Sequence, residues 1–184
     1  SDIEDLPAYT PIPTPVRFTA SDIRGAADLL EGASHPGLFI GWGAVKASEE
    51  VAVMADLLGA PVATTLQGVS SFPGNHPLHT GVGFGPASVP ASQHAFTHCD
   101  CLLAVGARFS ELATGSYGVT VPDCLIHVDI NKDVFNRNYP AARALEGDSK
   151  NVLAALAAEL QSRHVNRTAQ AAKMAQSIKQ DKLR

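Results

Sequence analysis

Arg108 is the residue of this 184-residue chain best suited to bind an anion, because its guanidinium presents a fixed fork of donors that matches a phosphate. It follows an apolar run in DCLLAVGARFS (100–110), where Gly106 gives the backbone room for a close approach. A second run, CLIHVDIN (124–131), also stops at a polar turn. Such runs are typical of buried parallel strands, whose carboxyl ends hold ligands in open α/β sheets. The two runs predict a nucleotide-type binding domain.

Four predicted strand-exit loops would line one groove if the sheet is parallel. They are Gly41–Ala44, Thr64–Gly68, Gly106–Phe109 and Asp129–Asn131. Glycine lets backbone amides approach a ligand closely, and clustered amides attract phosphate. For Gly41 and Gly43, turning the chain after a strand is an equally good interpretation. Lys46 stands where a dinucleotide fingerprint needs its third glycine, so that motif is not met.

Two side chains in these loops have both a binding and a structural interpretation. Arg108 could contact a ligand phosphate, or it could form an ion pair with Asp129 or Glu111. Asp129 could accept hydrogen bonds from ribose hydroxyls, or it could cap residues 131–136. The sequence leaves both alternatives open.

The stretch from Gln67 to Pro90 is expected to be long and irregular, and such loops inside compact domains are usually functional or disordered. It contains alternating glycines at Gly81, Gly83 and Gly85. A backbone that passes close to a ligand would need such glycines.

No catalytic or metal-binding constellation is predicted. His94 and His98 are spaced i,i+4 without an acidic partner between them, which favours a helix surface over a metal site. Cys99 and Cys101 lack a matching second pair of ligands. The sequence contains no nucleophile elbow, P-loop lysine motif or pair of carboxylates. The groove is expected to bind a ligand without reacting with it.

Composition excludes several classes of function. Hydrophobic residues make up 45% of the chain and charged residues 17%, so a packed core is expected rather than disorder. A net charge of -4 gives no electrostatic signature of nucleic-acid binding. No apolar run is long enough to span a membrane, and the N-terminal residues lack a signal-peptide pattern. Three cysteines do not make a disulfide framework, and a cytoplasmic location is expected.

Shifts in composition predict three regions. They are a Pro-rich inter-domain linker at 1–18, a folded domain at 19–160, and a polar tail at 161–184 that could be helical. The chain thus resembles an excised middle domain more than a complete protein. Alternating strand and helix patterns predict an α/β fold, doubly wound, with a mostly parallel sheet of five or six strands and helices on both faces. Helices are expected at 19–31, 46–58, 89–98 and 151–160, and strands at 37–41, 61–65, up to 105, at 124–129 and at 143–145. Residues 19–22 resemble a capping box, Gly59 is expected to end the second helix, and Ser149 or Asp148 is expected to cap the last one.

Five segments occur in a characteristic order along the chain: GWGA, PVATTLQG with SSFPGNHPLHTG, DCLLAVGARFSE, LIHVDIN and EGD. This order resembles the central domain of thiamine-diphosphate-dependent enzymes, and most closely that of the acetolactate synthase (acetohydroxyacid synthase) large subunit. Similar segments in that branch read TTLxGxGxFP, AVGxRFDD, HIDID and GDA. The resemblance covers about Phe18 to Leu160 and implies a Rossmann-like domain with the DHS-like NAD/FAD-binding topology.

The resemblance implies a subunit of three domains that acts on 2-oxo acids by carboligation or decarboxylation. Thiamine diphosphate and magnesium would be bound by the two other domains, so this chain alone would be inactive, with no catalytic residue and no metal ligand. Its partners would be the remaining domains of the same polypeptide and, in the full-length enzyme, further copies of the subunit. Nucleic acids and membranes are not expected as partners.

In the acetolactate synthase branch this domain holds FAD, largely as a structural cofactor. Carried over to this sequence, Arg108 would contact the phosphate or ribose region. The residues expected along the isoalloxazine and ribitol are Thr65, Leu66, Gly83 and Gly85. The residues expected at the adenine end are Asp129, Ile130 and Asp148. Gly41 and Gly43 complete the predicted cofactor-binding site.

The sequence departs from the family pattern at three places. Trp42 stands where a small residue is common, Ser110-Glu111 replaces paired aspartates, and Gly83-Phe84-Gly85 replaces a histidine-glycine pair. Trp42 would either block the groove or stack on a ligand ring.

Two other functions are kept as alternatives. The domain could be a non-catalytic scaffold for subunit assembly with an empty groove. It could also be a stand-alone NAD-binding domain, which would need a catalytic histidine near the groove and usually cysteine pairs for zinc. Within the enzyme family, the sequence does not distinguish a carboligase from a decarboxylase or an oxidase, and it does not name the 2-oxo acid.

Overall fold

Strands and helices alternate along the chain in the computed structural model, which describes residues 17–183. The strands are β1 (Pro36–Ile40), β2 (Val62–Thr64), β3 (His79–Val82), β4 (Cys101–Val105), β5 (Cys124–Asp129) and β6 (Arg143–Glu146). The helices are α1 (Ala20–Gly32), α2 (Ser48–Leu58), α3 (Pro90–Phe96), α4 (Ser149–Ser162) and α5 (Thr168–Lys182). Helices α2 and α3 lie in the crossovers that parallel strands require, whereas α1 precedes the first strand and α4 and α5 follow the last.

The six strands of the described residues form one parallel sheet in the order β3-β2-β1-β4-β5-β6. The chain begins in the middle with β1, builds outward to β3, and then continues with β4 on the other side of β1. Ile40 at the end of β1 lies opposite Thr64 of β2 and Val105 of β4, so these strands end at the same edge. The predicted doubly wound α/β fold is confirmed, and the strand order reverses between β1 and β4.

Both faces of the sheet are buried, because side chains alternate between the two faces along each strand. In β1, Leu38 and Ile40 face helices α1, α2 and α4, whose buried side chains include Leu30 and Met54. Phe39 faces the other side, where α3 and the strand-exit loops form a smaller core rich in aromatic rings. Burial on both faces explains why the central strands β1 and β4 are apolar throughout.

Helix α1 begins at a capping box, as the sequence predicts. The Thr19 hydroxyl accepts a hydrogen bond from the Asp22 amide at 3.2 Å, and the Asp22 carboxylate accepts one from the Thr19 amide at 2.8 Å. The hydrogen bonds from Thr19 lower the pKa of Asp22. Helix α2 ends at Gly59, also as predicted, with this glycine in the left-handed region (φ 59°).

Strand β3 is not predicted by the sequence analysis, which treats residues 67–90 as irregular. The strand has only four residues, HTGV, and includes Gly81 at a φ of 130°, so it lacks the apolar pattern of a buried strand. Pairing with β2 stabilises it instead. The Thr80 hydroxyl adds a side-chain bond to the Val62 carbonyl at 3.1 Å.

Helix α5 occupies most of the region expected to be a polar tail, and it packs against α3 and α2. The Arg167 guanidinium, just before this helix, donates to three carbonyl oxygens at the end of α1 at distances from 2.7 to 3.2 Å. The Lys182 ammonium donates to the His79 carbonyl at the start of β3. Ile178 is only 1% exposed. A helix with few apolar residues is thus held by hydrogen bonds and one buried anchor.

Two expectations about the ends of the chain stay predictions. Of the linker expected at 1–18, residues 1–16 lie outside the described residues. The domain boundary expected at residue 160 also stays a prediction, although α4 continues to Ser162. Within residues 17–183, no helix combines the length and apolar character needed to cross a lipid bilayer.

Ile178→Ala should lower the free energy of unfolding by about 2–4 kcal/mol, because it deletes the buried side chain that anchors α5. Urea unfolding followed by circular dichroism measures this change. Gln176→Ala, at an exposed position of the same helix, is the matched control and should change the value by less than about 0.5 kcal/mol. Equal effects of the two substitutions would contradict the packing of α5.

Candidate functional site

The exit loops of the strands meet at the carboxyl edge of the sheet. Neighbouring strands are about 4.8 Å apart, so six strands make an edge roughly 24 Å long. The reversal of strand order between β1 and β4 lies at its centre, which is where open α/β sheets bind ligands. The predicted cofactor-binding residues fall into three groups along this edge: a centre at β1 and β4, a β2–β3 side and a β5–β6 side.

At the centre, the loops after β1 and β4 touch through their glycines. A Cβ atom on Gly41 would lie 2.0 Å from the Gly106 carbonyl oxygen, and one on Gly43 would lie 2.8 Å from the Gly106 Cα. The Gly41 amide donates to the Val105 carbonyl at 2.9 Å, and the Gly43 amide donates to the Gly106 carbonyl at 3.2 Å. The two glycines therefore let one backbone pack on another, and their amides are already engaged within the protein. Their contact with a cofactor stays a prediction.

Two serines that the sequence analysis did not single out as site residues hold the loop after β1. The Ser71 hydroxyl donates to the Gly41 carbonyl at 3.0 Å, and the Ser149 hydroxyl donates to the Gly43 carbonyl at 3.1 Å. Both serines are buried. The sequence predicts Ser149 only as an alternative helix cap, and Ser71 lies in the stretch expected to be irregular. A serine at the start of a helix or in an irregular stretch carries no local signal of such a distant partner.

Arg108 lies at the same centre and is exposed. Within residues 17–183 it forms no ion pair, so the alternative pairing with Asp129 or Glu111 is not made. The next residue, Phe109, has a φ of 49° and is 2% exposed, with its ring against Phe39 at 5.5 Å. This left-handed backbone turns the phenyl ring into the core. The adjacent guanidinium remains available to a ligand.

The loop that carries Arg108 is supported from below by His127, which the sequence analysis did not identify. His127 is 1% exposed, and its Nε2 lies 2.8 Å from the Ala107 carbonyl oxygen. Because a carbonyl can only accept, Nε2 carries the proton and donates. The rings of Phe109 and Phe135 meet the imidazole edge-on, at 5.3 and 5.1 Å. Burial lowers the pKa of His127, which keeps the ring neutral in its structural role.

On the β2–β3 side, the predicted residues differ in how available they are. Thr65 is 5% exposed, and its hydroxyl accepts a hydrogen bond from the Gly68 amide at 3.0 Å. Leu66, the next residue, is 56% exposed. Gly83 and Gly85 have positive φ values of 71° and 90°, a conformation that favours glycine. The Gly83 amide donates to the Thr64 carbonyl at 2.8 Å, and the Gly83 carbonyl accepts a bond from the Ser92 hydroxyl at 2.6 Å. Leu66 is therefore the most available of the predicted residues on this side.

On the β5–β6 side, the two carboxylates already have hydrogen-bond donors within the protein. Asp129 is 6% exposed and accepts a bond from the Asn131 amide at 2.8 Å. It does not cap the helical turn that follows, because the N-cap of residues 132–134 is Asn131, whose side chain accepts a bond from the Asp133 amide at 3.0 Å. Asp148 caps α4 by accepting bonds from the amides of residues 150 and 151 at 3.1 and 3.2 Å. Ile130 is 55% exposed. The bonded oxygen is Oδ1 in both carboxylates, so their Oδ2 atoms are the remaining acceptors on this side.

Exposed apolar side chains line this edge of the sheet. Those at the strand exits, here called the apolar rim, are Trp42, Leu66, Val82 and Ile130. Trp42 is the most exposed of them, at 66%. Clustered exposed apolar groups with a cation among them are typical of a binding surface. Within residues 17–183, no group of three or more His, Cys, Asp or Glu side chains is placed to hold a metal ion.

Comparison with known proteins shows which sequences this chain is similar to. A family model described as "Thiamine pyrophosphate enzyme, central domain" matches residues 23–156. The chain is 37% identical over 161 residues to the probable acetolactate synthase large subunit of Methanocaldococcus jannaschii, which covers 85% of this chain and 26% of that protein. It is 36% identical over 155 residues to the acetolactate synthase large subunit of Corynebacterium glutamicum, with coverage of 83% and 24%.

A third relative is more distant but matches the same region. Acetolactate synthase isozyme 2 large subunit of Escherichia coli is 32% identical over 154 residues, which cover 82% of this chain and 28% of that protein. The chain thus spans about a quarter of the length of these curated relatives. The resemblance stated from the motifs is confirmed.

Gly41→Ala should lower the free energy of unfolding by at least about 3 kcal/mol, because the added methyl group overlaps the Gly106 carbonyl. Gly32→Ala is the matched control. A Cβ there meets no heavy atom within 4 Å, so the variant should be neutral or more stable by up to about 1 kcal/mol. Thermal unfolding compares the two. A Gly41→Ala protein as stable as the parent chain would refute the close packing of these loops.

The lowered pKa of His127 predicts a pH dependence of stability. Unfolded His127 takes up a proton near its ordinary pKa of 6.5, whereas the folded protein resists protonation until lower pH. This contribution to stability is complete above pH 6.5 and is lost as the pH falls below it. His127→Gln cannot titrate, so its free energy of unfolding should fall less steeply than that of the parent chain. Urea unfolding between about pH 5 and 8 measures the slope.

The exposed His98→Gln variant is the control for that experiment. Its slope should match that of the parent chain. If His127→Gln also matches the parent chain, His127 titrates alike in the folded and unfolded states, and its proposed neutral role is wrong.

Proposed function

The chain belongs to the thiamine pyrophosphate enzyme central-domain family, and we propose that it holds FAD along its carboxyl edge within an acetolactate-synthase-like enzyme. In this proposal the domain binds and positions the cofactor as a structural element. The reacting groups belong to domains outside the matched region.

The proposed activity of the whole protein is the joining or decarboxylation of 2-oxo acids. Thiamine diphosphate with magnesium supplies the electron sink that this chemistry requires, and the other domains would bind both. The whole protein would be a cytoplasmic homo-oligomer. This chain would supply packing and the FAD site, and on its own it would not turn over substrate.

The observation that carries the FAD proposal is the exposed guanidinium of Arg108, which lies at the centre of the carboxyl edge, where the apolar rim is found. A cation without an ion-pair partner among residues 17–183 suits a diphosphate, which pairs with arginine through two parallel hydrogen bonds. Leu66 on one side and Ile130 on the other are more than half exposed and suit the flat apolar faces of two ring systems. An edge of roughly 24 Å can accommodate an extended dinucleotide.

The remaining predicted residues would act mainly through the backbone. Gly83 and Gly85 would bring the chain after β3 close to the isoalloxazine and ribitol, since their positive φ values exclude bulky side chains there. Asp129 and Asp148 would offer their Oδ2 atoms to the adenosine. Thr65 would position the adjacent Leu66, because its amide, carbonyl and hydroxyl are all bonded within the protein.

Gly41 and Gly43 have a different part in this proposal. Because their amides are bonded within the protein, the two glycines would shape the centre of the edge rather than donate to the diphosphate. Arg108 would then supply the main attraction for the negative charge.

Arg108→Ala should weaken FAD binding about 10- to 100-fold, which corresponds to the loss of charge-assisted hydrogen bonds worth about 1.5–3 kcal/mol. Titration of the purified chain with FAD, followed by flavin fluorescence and by isothermal calorimetry, measures the affinity. Arg24→Ala, at an exposed position of α1, is the matched control and should bind as the parent chain does.

Two results would count against the proposal. If the parent chain shows no saturable binding up to about 1 mM FAD, the domain acts as a scaffold with an empty groove. If Arg108→Ala and Arg24→Ala weaken binding equally, FAD is attracted by the overall charge and not by the carboxyl edge.

A further inference from the structure

Trp42 is the only tryptophan of the chain, and its side chain lies largely in solvent. It directly follows the end of β1, at the point where the strand order reverses. The side chain is 66% exposed, although an indole is a large apolar surface that folding normally buries. In a mobile loop, the exposure of a tryptophan would not indicate a function. The exposure of Trp42 is informative only if the backbone around it is fixed.

The backbone on either side of Trp42 is fixed by the protein. Gly41 is bonded to β4 through its amide and to Ser71 through its carbonyl, at 2.9 and 3.0 Å. Gly43 is bonded to Gly106 through its amide and to Ser149 through its carbonyl, at 3.2 and 3.1 Å. Neither glycine has room for a side chain. Trp42 is thus held on a constrained support between the two halves of the edge.

The same bonds limit what this loop can offer to a ligand. In many nucleotide-binding folds the amides of a glycine loop donate to phosphate. Here the amides of Gly41 and Gly43 are engaged, so the indole is the main group that the loop presents. Arg108, on the adjoining loop after β4, supplies the cation. The two loops touch through Gly43 and Gly106, so a flat apolar side chain and a cation leave adjoining loops. This pair of groups matches a planar ring that carries a phosphate chain.

We propose that Trp42 stacks on the planar ring of the bound nucleotide and thereby determines which ligand this domain accepts. The inference rests on the proposed function and refines it, since it assigns ring recognition to a side chain at the centre of the edge. The ring could be a flavin or an adenine, which share a flat heteroaromatic face. The alternative is that the indole blocks the groove. The experiment must therefore distinguish an indole that strengthens ligand binding from one that prevents it.

The test compares Trp42→Ala and Trp42→Phe with the parent chain. Because stacking on an aromatic side chain adds about 1–3 kcal/mol, Trp42→Ala should weaken binding about 5- to 100-fold, and Trp42→Phe should retain most of the affinity. Calorimetry with FAD, FMN and ADP measures each affinity, since the variants lack the intrinsic tryptophan signal. A loss confined to FAD and FMN assigns the flavin ring, and a loss confined to FAD and ADP assigns the adenine.

In the parent chain, the ligand whose ring stacks should also quench the fluorescence of Trp42. Because the side chain is exposed, both variants should unfold at the same urea concentration as the parent chain, which serves as the folding control. If Trp42→Ala binds FAD as tightly as the parent chain or more tightly, the indole does not stack, and the inference is overturned.

Failure of the proposed function would look different. In that case the parent chain itself binds none of the three nucleotides, and both proposals are overturned together. If the parent chain binds FAD and Arg108→Ala weakens it while Trp42→Ala does not, the FAD site stands and only the role of Trp42 is rejected.

Discussion

The contact between the loops after β1 and β4 is the constraint on which the rest of the molecule depends. Gly41 and Gly106 approach so closely that neither position has room for a side chain. This contact closes the centre of the carboxyl edge at the point where the strand order reverses. Ser71 and Ser149, from two other parts of the chain, bond to the same loop. The site is therefore built on backbone that cannot move without disturbing the core.

That constraint also decides which groups can meet a ligand. The amides of Gly41 and Gly43 are hydrogen-bonded within the protein, so a ligand at the centre of the edge must be bound mainly by side chains. The exposed side chains there are Arg108 and Trp42. The arginine can point outward because Phe109 turns inward at a positive φ, supported by the neutral His127 beneath. A buried aromatic cluster thus determines the position of an exposed cation, which links the smaller core to binding.

Local signals predicted most of the fold, because a capping box at Thr19 or an apolar run such as Cys124–Asp129 carries its own boundaries. Local signals did not predict strand β3 or the packing of α5, because both depend on contacts distant in sequence. Strand β3 is stabilised by pairing with β2, and the start of α5 is held by bonds from Arg167 to the end of α1. The same distinction holds for the site. Residue types at the strand exits pointed to ligand binding. The bonds of Ser71 and Ser149 to the loop after β1 join residues that are 30 and 106 positions apart, and no local spacing shows such contacts.

The architecture also gives a physical reason for a cofactor that does no chemistry. The two halves of the sheet, β3-β2-β1 and β4-β5-β6, meet along the pairing of β1 with β4. A ligand that contacts both halves across the carboxyl edge adds a second connection between them. A ligand that binds only the folded state stabilises it by about 2.7 kcal/mol at a concentration one hundred times its Kd. Such a gain is a large fraction of the stability of a typical domain, which is a physical role for the proposed cofactor that requires no chemistry from it.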